Sequence, residues 1–531
     1  MSGTRAFKAR TLRPSPARRI LLNTLMAPYI LPVTCDEVRS LGWVVPDRPV
    51  NRPYRPRVLG WRSLAVHLPL AGMLALYIGR FALLSVQVQD GFGAPGYDLG
   101  IFDQGVWLLS RFDAPFVTVM GRNLFGDHTS FVLLLAVPLY WIWPAAQTLL
   151  VLQTVLLACG AIPVYILARR RVGSAWMATA LAGSYLLNPA LQQGNLEQFH
   201  PESFLVLFLA LAIVAALEWW PRLLCVSVIG ALLVKEDTAL LVIPLGVWVY
   251  LRRDKALGIG IATAAAAYMA FAFEVVIRSI LGTANFYGGR LPFGGLVGLI
   301  ESPFRHPGRL WAYLKGGGRP FYLWQVGSSF GWIFLVSPEI AAIAILNLTE
   351  NVISTFPYMH QIPYHYSLDA VPVLALGTVY AISRLQSARR RGLATAFVAS
   401  SALVACSLWG LSPWSRNPVY PHQAPDSPAV VAADKALKAV PADAVVSASA
   451  FYVSHLDHRR KIYQWPTPFS AQYWGLYTEE GQRLPFASSV QYVVIPSHLS
   501  GTDKTVFNSI AAHFHLVVSG GGVSVYKRIA P

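Results

Sequence analysis

The chain has 531 residues, of which 54% are hydrophobic and 13% charged, with a mean hydropathy of +0.46. Soluble domains carry about 25% charged residues, so this composition excludes a single water-soluble core and assigns the chain to a lipid bilayer. The formal charge of +17 would suit a nucleic-acid partner only if it lay on one soluble face; most of it is Arg at the ends of apolar runs, which argues for membrane topology and no nucleic acid.

Residues 1–63 hold twelve Lys and Arg against three acids. This excess of positive charge predicts a basic, cytoplasmic N-terminal segment. Within it the run 20–35 is apolar, but it is short and interrupted by two prolines, so an interfacial segment is expected there. The first run long enough to cross hydrocarbon is 64–86. Ten more follow at 145–167, 175–190, 204–219, 222–234, 238–251, 256–281, 321–336, 340–353, 366–382 and 392–411. Residues 64–411 are therefore expected to form a mainly α, polytopic transmembrane helical bundle of eleven spans. The basic clusters at 169–171, 252–255 and 389–391 all fall on the cytoplasmic side only if 131–143, ended by Trp143-Pro144, is a re-entrant or interfacial helix.

This topology leaves outside the loops 87–130, 187–203, 235–237, 282–320 and 349–364, and everything after Ser412. A Pro/Ser-rich linker at 413–427 leads into a stretch of different character. It has a helical segment at 428–440, strand-like runs at 444–450 and 491–495, and a Gly520-Gly521-Gly522 turn between two further strands. Residues 412–531 thus read as a linker and a small extracytoplasmic α/β domain. Cys35, Cys159, Cys225 and Cys406 lack metal-ligand spacing, so neither disulfides nor a structural zinc is expected.

Four polar clusters interrupt this apolar background, all on the outer side. The first loop contains Asp98 and Asp103 among Tyr97, Phe102 and Trp107, and closes with Asp127-His128. Carboxylates and an imidazole at the edge of hydrocarbon make an acid/base or metal site. On one helix Asp98 and Asp103 would be splayed by about 140°, so they share a site only if a turn intervenes at Gly100. The second cluster, Phe199-His200-Pro201-Glu202, allows His200 and Glu202 to face one cavity, although Pro201 and Glu202 also suit the first turn of a helix. The third is Lys235-Glu236-Asp237. Ionisable groups near membrane depth pair with one another or line a cavity. In the fourth, an aromatic belt explains Tyr358, Tyr364 and Tyr366 but not His360, His365 and Asp369.

The Tyr97–Gln104 stretch, the Asp127-His128 step, Phe199-His200-Pro201-Glu202 and Lys235-Glu236-Asp237, in this order, resemble the bacterial membrane-protein family called domain of unknown function 2079. That family is similar in layout to the C-type (GT-C) glycosyltransferases, which use a polyprenyl-phosphate sugar donor and carry an acidic catalytic residue in the first outer loop. The chain departs from that pattern in having no adjacent pair of acids in the first loop.

The resemblance implies a multi-pass protein of the bacterial cytoplasmic membrane that transfers a sugar from a polyprenyl-phosphate donor to a cell-envelope glycan or lipid acceptor at the outer face. Asp98 would be the base, with Asp103 and His128 beside it. Arg122, His200, Glu202, Lys235, Glu236, Asp237, His360 and His365 would bind substrate, the cationic members meeting the phosphate, with Arg290 or Arg319 as substitutes. Asp103, His128 and Glu202 could hold a divalent metal, manganese or zinc. A transporter or lipid flippase would instead line a path with its charges, and an outward-facing sensor or scaffold would bind through the tail. A single outer cavity bordered by Asp98, His128, His200 and Glu236 would favour the enzyme; a polar path to the cytoplasmic face would favour transport.

Overall fold

The apolar runs fold as the helical period requires. The structure, a computed structural model, describes residues 65–283, 288–419, 422–473 and 479–529; the basic segment and its run 20–35 lie outside the described residues. Five predicted spans become helices long and apolar enough to cross a membrane: Leu68–Asp90 (α1), Ala146–Arg171, Lys255–Leu281, His365–Ser383 and Ala388–Trp409. On α1, Leu68, Leu76 and Leu83 are more than half exposed, as suits a face in contact with hydrocarbon. Ala370–Ser383 is apolar all round and almost wholly buried, as expected of a helix surrounded by others.

The remaining runs form shorter helices, among them Ala175–Leu186, Glu202–Glu218, Pro221–Leu232 and Ala239–Arg252. The twelve-residue members rise only about 18 Å against about 30 Å of hydrocarbon, whereas the seventeen residues of Glu202–Glu218 run from one end of the bundle to the other. Two predicted spans are broken. Arg319–Ser328 stops before Gly331 and Trp332, both with positive φ, and a 3-10 turn follows at Ile333–Val336. A 3-10 turn at Ala341–Ala344 precedes Ile345–Ile353. The run 131–143 is a 3-10 turn, Phe131–Leu135, followed by a single helical turn and a half, Val137–Ile142. It is too short to cross.

The three basic clusters meet at one end of the bundle. Arg171 pairs with Glu218 at 2.7 Å, and Arg170 with the same carboxylate. Arg253 donates to the carbonyl of Ala216 at 3.0 Å, and Arg391 to that of Val172 at 3.1 Å. Arg252 and Arg384 share Glu339 at 2.8 and 3.0 Å. The opposite end carries the end of α1, the start of Glu202–Glu218 and the turn after Pro221–Leu232.

On that opposite end lies the loop that follows α1, with helix α2 (Leu99–Ser110) and a hairpin of β1 (Phe116–Val117) and β2 (Arg122–Asn123). The C-terminal part packs on it. Its strands β3 (Val446–Ala448), β4 (Ile462–Gln464), β5 (Tyr492–Pro496), β6 (Phe514–Gly520) and β7 (Val523–Arg528) form one sheet in the order β4-β3-β5-β7-β6. The first three are parallel, and β7 is antiparallel to β5 and β6. Gly521 and Gly522, both at positive φ, make the two-residue turn of the last hairpin. Gln89 bonds Ser454 at 3.0 Å, the Gly96 amide donates to Ala450 at 2.7 Å, and Gln104 donates to the Arg459 carbonyl at 3.0 Å. A Cβ at Gly96 would come within 2.3 Å of Val453, and one at Gly100 within 2.9 Å, so these glycines let the two parts approach.

Candidate functional site

Asp98 stands at the N-cap of α2, and the helix runs through Gly100 without a turn. The two loop carboxylates therefore point apart. Asp98 opens into a cavity of about 540 Å³, while Asp103 is buried on the other side of α2, bonded to Tyr140 and, at 3.0 Å, to His458. The metal triad expected from Asp103, His128 and Glu202 does not assemble: His128 faces Glu236 at 2.6 Å and Glu202 faces Lys235 at 3.3 Å. Helical geometry explains this, since no break at Gly100 brings Asp103 back to the face of Asp98.

Of the expected residues, Asp98, Arg122, His128, His200, Glu202, Lys235 and His365 line the cavity, together with Arg290 and the rings of Tyr97, Phe102, Phe356, Tyr358, Tyr364 and Tyr366. Glu236 backs His128 and also accepts from the Thr129 amide at 3.0 Å. Burial opposes ionisation of Glu236, but His128 beside it holds the carboxyl below its ordinary range. Lys235 lies 3.2 Å from Asp237 and 3.3 Å from Glu202. Burial disfavours its charge, yet these carboxylates raise it well above the ordinary lysine range. His360 is buried in the turn Pro357–His360 and does not line the cavity. Arg319 spends its guanidinium on the carbonyls of Val352, Gly316 and Ser354.

His200 stacks on His365 with ring centroids 3.8 Å apart, and its Nε2 lies 3.9 Å from Asp98. Its turn is held from below by Gln153, which accepts from the His200 amide at 2.8 Å, and Gln198 takes a positive φ of 90° there. Gln198 in turn accepts from the Leu99 amide at 3.1 Å, tying the turn to the start of α2. Glu197 and Asp127 were not anticipated as site residues. Glu197 lies 3.2 Å from the Nδ1 of His365, and Asp127 pairs with Arg122. The three-residue spacing of Glu197 and His200 was the available signal. Glu197, His200 and His365 offer ligand atoms within 4.8 Å of one another and are the group in this cavity that could hold a divalent ion such as manganese or zinc.

Burial disfavours the His200 imidazolium, but the charges of Glu197 and Asp98 outweigh it and raise the group from 6.5 to about 9. Burial also raises the Glu197 carboxyl well above its ordinary range, with the His200 charge opposing that shift. A group bound more tightly to its proton when folded adds stability that is complete below about 6.5 and lost as pH rises through about 9. Thermal unfolding of the purified protein is therefore expected to occur at progressively lower temperature across this window. His200→Asn should flatten that slope, and an unchanged slope in the variant would assign it to another group.

Of the carboxylates that line the cavity, Asp98 is the most accessible, with 42% of its side chain exposed against 14% for Asp127, 9% for Glu197 and 6% for Glu202. The cavity can thus offer one solvated carboxylate to a polar substrate, cationic groups to an anion and aromatic faces to a ring or a lipid chain.

The apo structure of ArnT from Cupriavidus metallidurans matches with a TM-score of 0.50 and 13% identity, covering 87% of this chain and 98% of that one. The structure of the same protein bound to undecaprenyl phosphate matches with a TM-score of 0.47 and 12% identity over the same shares. At such identities the likeness is one of fold. No curated protein matches the sequence. The family model described as "Predicted membrane protein (DUF2079)" matches residues 92–515, a stretch running from the loop after α1 through the bundle into the last strands, and the chain belongs to that family.

Proposed function

We propose that this protein is a membrane glycosyltransferase that moves a sugar from a polyprenyl-phosphate donor to a cell-envelope glycan or lipid at the outer face of the bacterial cytoplasmic membrane. The observation that carries the reading is the cavity itself, in which the accessible Asp98 faces Lys235, Arg122 and Arg290 among aromatic rings. The ArnT-like fold agrees with it. In the reaction Asp98 takes the proton of an acceptor hydroxyl, and that oxygen bonds to the anomeric carbon. The bond from this carbon to the phosphate oxygen breaks, and its electron pair leaves on the polyprenyl phosphate. The cationic side of the cavity meets the charge that develops there.

The orientation follows from the positive-inside rule, because the three basic clusters gather at the end opposite the cavity. A reporter enzyme active only outside the membrane, fused after Ser427, should be active, and one fused after Leu385 inactive. The reverse pattern would move the cavity to the cytoplasmic face and remove the mechanism. A transporter would need polar groups leading away from the cavity, yet the buried residues below Glu202 on its helix are Leu205, Val206, Leu209 and Ile213. The direct test is transfer from a panel of undecaprenyl-phosphate sugars by purified protein in lipid vesicles. Turnover of one donor supports the reading. Movement of the lipid across the vesicle bilayer without turnover would replace it by transport.

A further inference from the structure

The buried side of α2 holds a second cluster that the proposed reaction does not use. Asp103 is 1% exposed and Asp457, from the loop after β3, is 2% exposed. One oxygen of each carboxylate, Oδ2, is buried with no donor from another residue on it, and the two carboxyl groups lie within hydrogen-bond reach of each other. His458 stands beside them, its Nε2 3.0 Å from Asp103 Oδ1 and its ring stacked on Trp107 at 5.8 Å. The three residues offer ligand atoms that all lie within 4.8 Å of one another.

Two carboxylates pressed together out of contact with water are costly unless something positive, a proton or a metal ion, joins them. The nearest arginine does not do so: Arg459 gives its guanidinium to the carbonyls of Leu456, Pro441 and Ala444. Gly100 lets the loop that carries Asp457 come this close, since a Cβ there would lie 2.9 Å from Val453 Cγ1. A cavity of about 460 Å³ opens alongside, lined by Asp103, Asp434, Lys438, Asp457 and His458, and it supplies a route for an ion and for water ligands.

We propose that Asp103, Asp457 and His458 form a divalent-cation site that clamps the C-terminal α/β part to α2. Two carboxylates and a neutral imidazole neutralise a charge of two. The nitrogen ligand favours zinc or manganese over calcium or magnesium, which prefer oxygen alone. Ligands about 2.0–2.1 Å from a tetrahedral ion sit roughly 3.3 Å from one another, close to the spacing of His458 Nε2 and Asp103 Oδ1, so the ion takes the place of that hydrogen bond. Because Asp98 caps the same helix, the clamp also fixes the position of Asp98 over the cavity.

The test uses the full-length protein, purified in detergent and freed of metal with a chelator, then titrated separately with zinc alone and manganese alone. Bound metal and thermal unfolding are followed, so the result does not depend on the proposed transfer reaction. One ion per chain and a raised unfolding temperature are expected. Asp457→Asn and the half-buried His458→Gln should each weaken binding by roughly 100-fold or more, while His365→Gln, in the other ligand group, should leave it within a factor of two. Binding that survives in both His458→Gln and Asp457→Asn but disappears in His365→Gln would overturn the assignment in favour of the Asp98 cavity. No binding of either metal, with unfolding unaffected by it, would mean that a shared proton alone joins the two carboxylates.

Discussion

Replacing Asp98 by Asn is expected to lower sugar transfer by about 10²-fold or more while donor binding and membrane insertion persist. Asn keeps the shape at the N-cap of α2 and can still accept a hydrogen bond, but it lacks the basic oxygen that takes the acceptor's proton. The loss should therefore appear in kcat, with the KM for the donor little changed, because the interaction removed is made only as the acceptor attacks. Glu202 and Glu236 are poor substitutes, each buried and held by a partner, Lys235 at 3.3 Å and His128 at 2.6 Å. Parent-rate transfer by Asp98→Asn would remove Asp98 as the base and move the assignment to Glu202. If Glu202→Gln were also fully active, the transferase reading would fall.

Lys235→Met should produce the largest loss of stability of any single change in the cavity, about 3–5 kcal/mol. The lysine is buried between Glu202 and Asp237, at 3.3 and 3.2 Å, and its removal leaves both carboxylates with only the more distant histidines as counter-charge. Thermal unfolding of the purified variant measures the effect, and the double change Lys235→Met with Glu202→Gln should regain a good part of it. Transfer separates two roles for the lysine. If Lys235 also meets the donor phosphate, the double variant recovers stability but not activity. Recovery of both would confine Lys235 to balancing Glu202 and Asp237, and would pass phosphate recognition to Arg290 or Arg122.

Much of this was legible in the chain itself. An apolar run of twenty residues must be helical in a bilayer because its backbone cannot hydrogen-bond to lipid, so the five long helices begin within a few residues of the predicted limits. The arginine clusters fall together for a similar reason. Charge has to stay at an interface, and Glu218 and Glu339 collect the side chains there. In the C-terminal part, the glycine turn at 521–522 and the alternating runs mark the last hairpin and the central strand, because strand period and positive φ are local properties. The motifs of the first loop, the His200 turn and the Lys235 turn also named most of the cavity lining.

What the sequence by itself determined, then, is the membrane bundle, the gathering of its polar groups at one end and the residue types available there. Only the tertiary structure decided which of them meet. Asp98 and Asp103 are five residues apart and look equivalent along the chain, yet unbroken helix through Gly100 sends one to the cavity and the other to His458, 355 residues away. The pairing of His128 with Glu236 and the stacking of His200 on His365 also join distant segments. Such contacts depend on how the helices pack and on where two glycines admit a neighbouring loop, and these long-range constraints leave no periodic trace in the sequence.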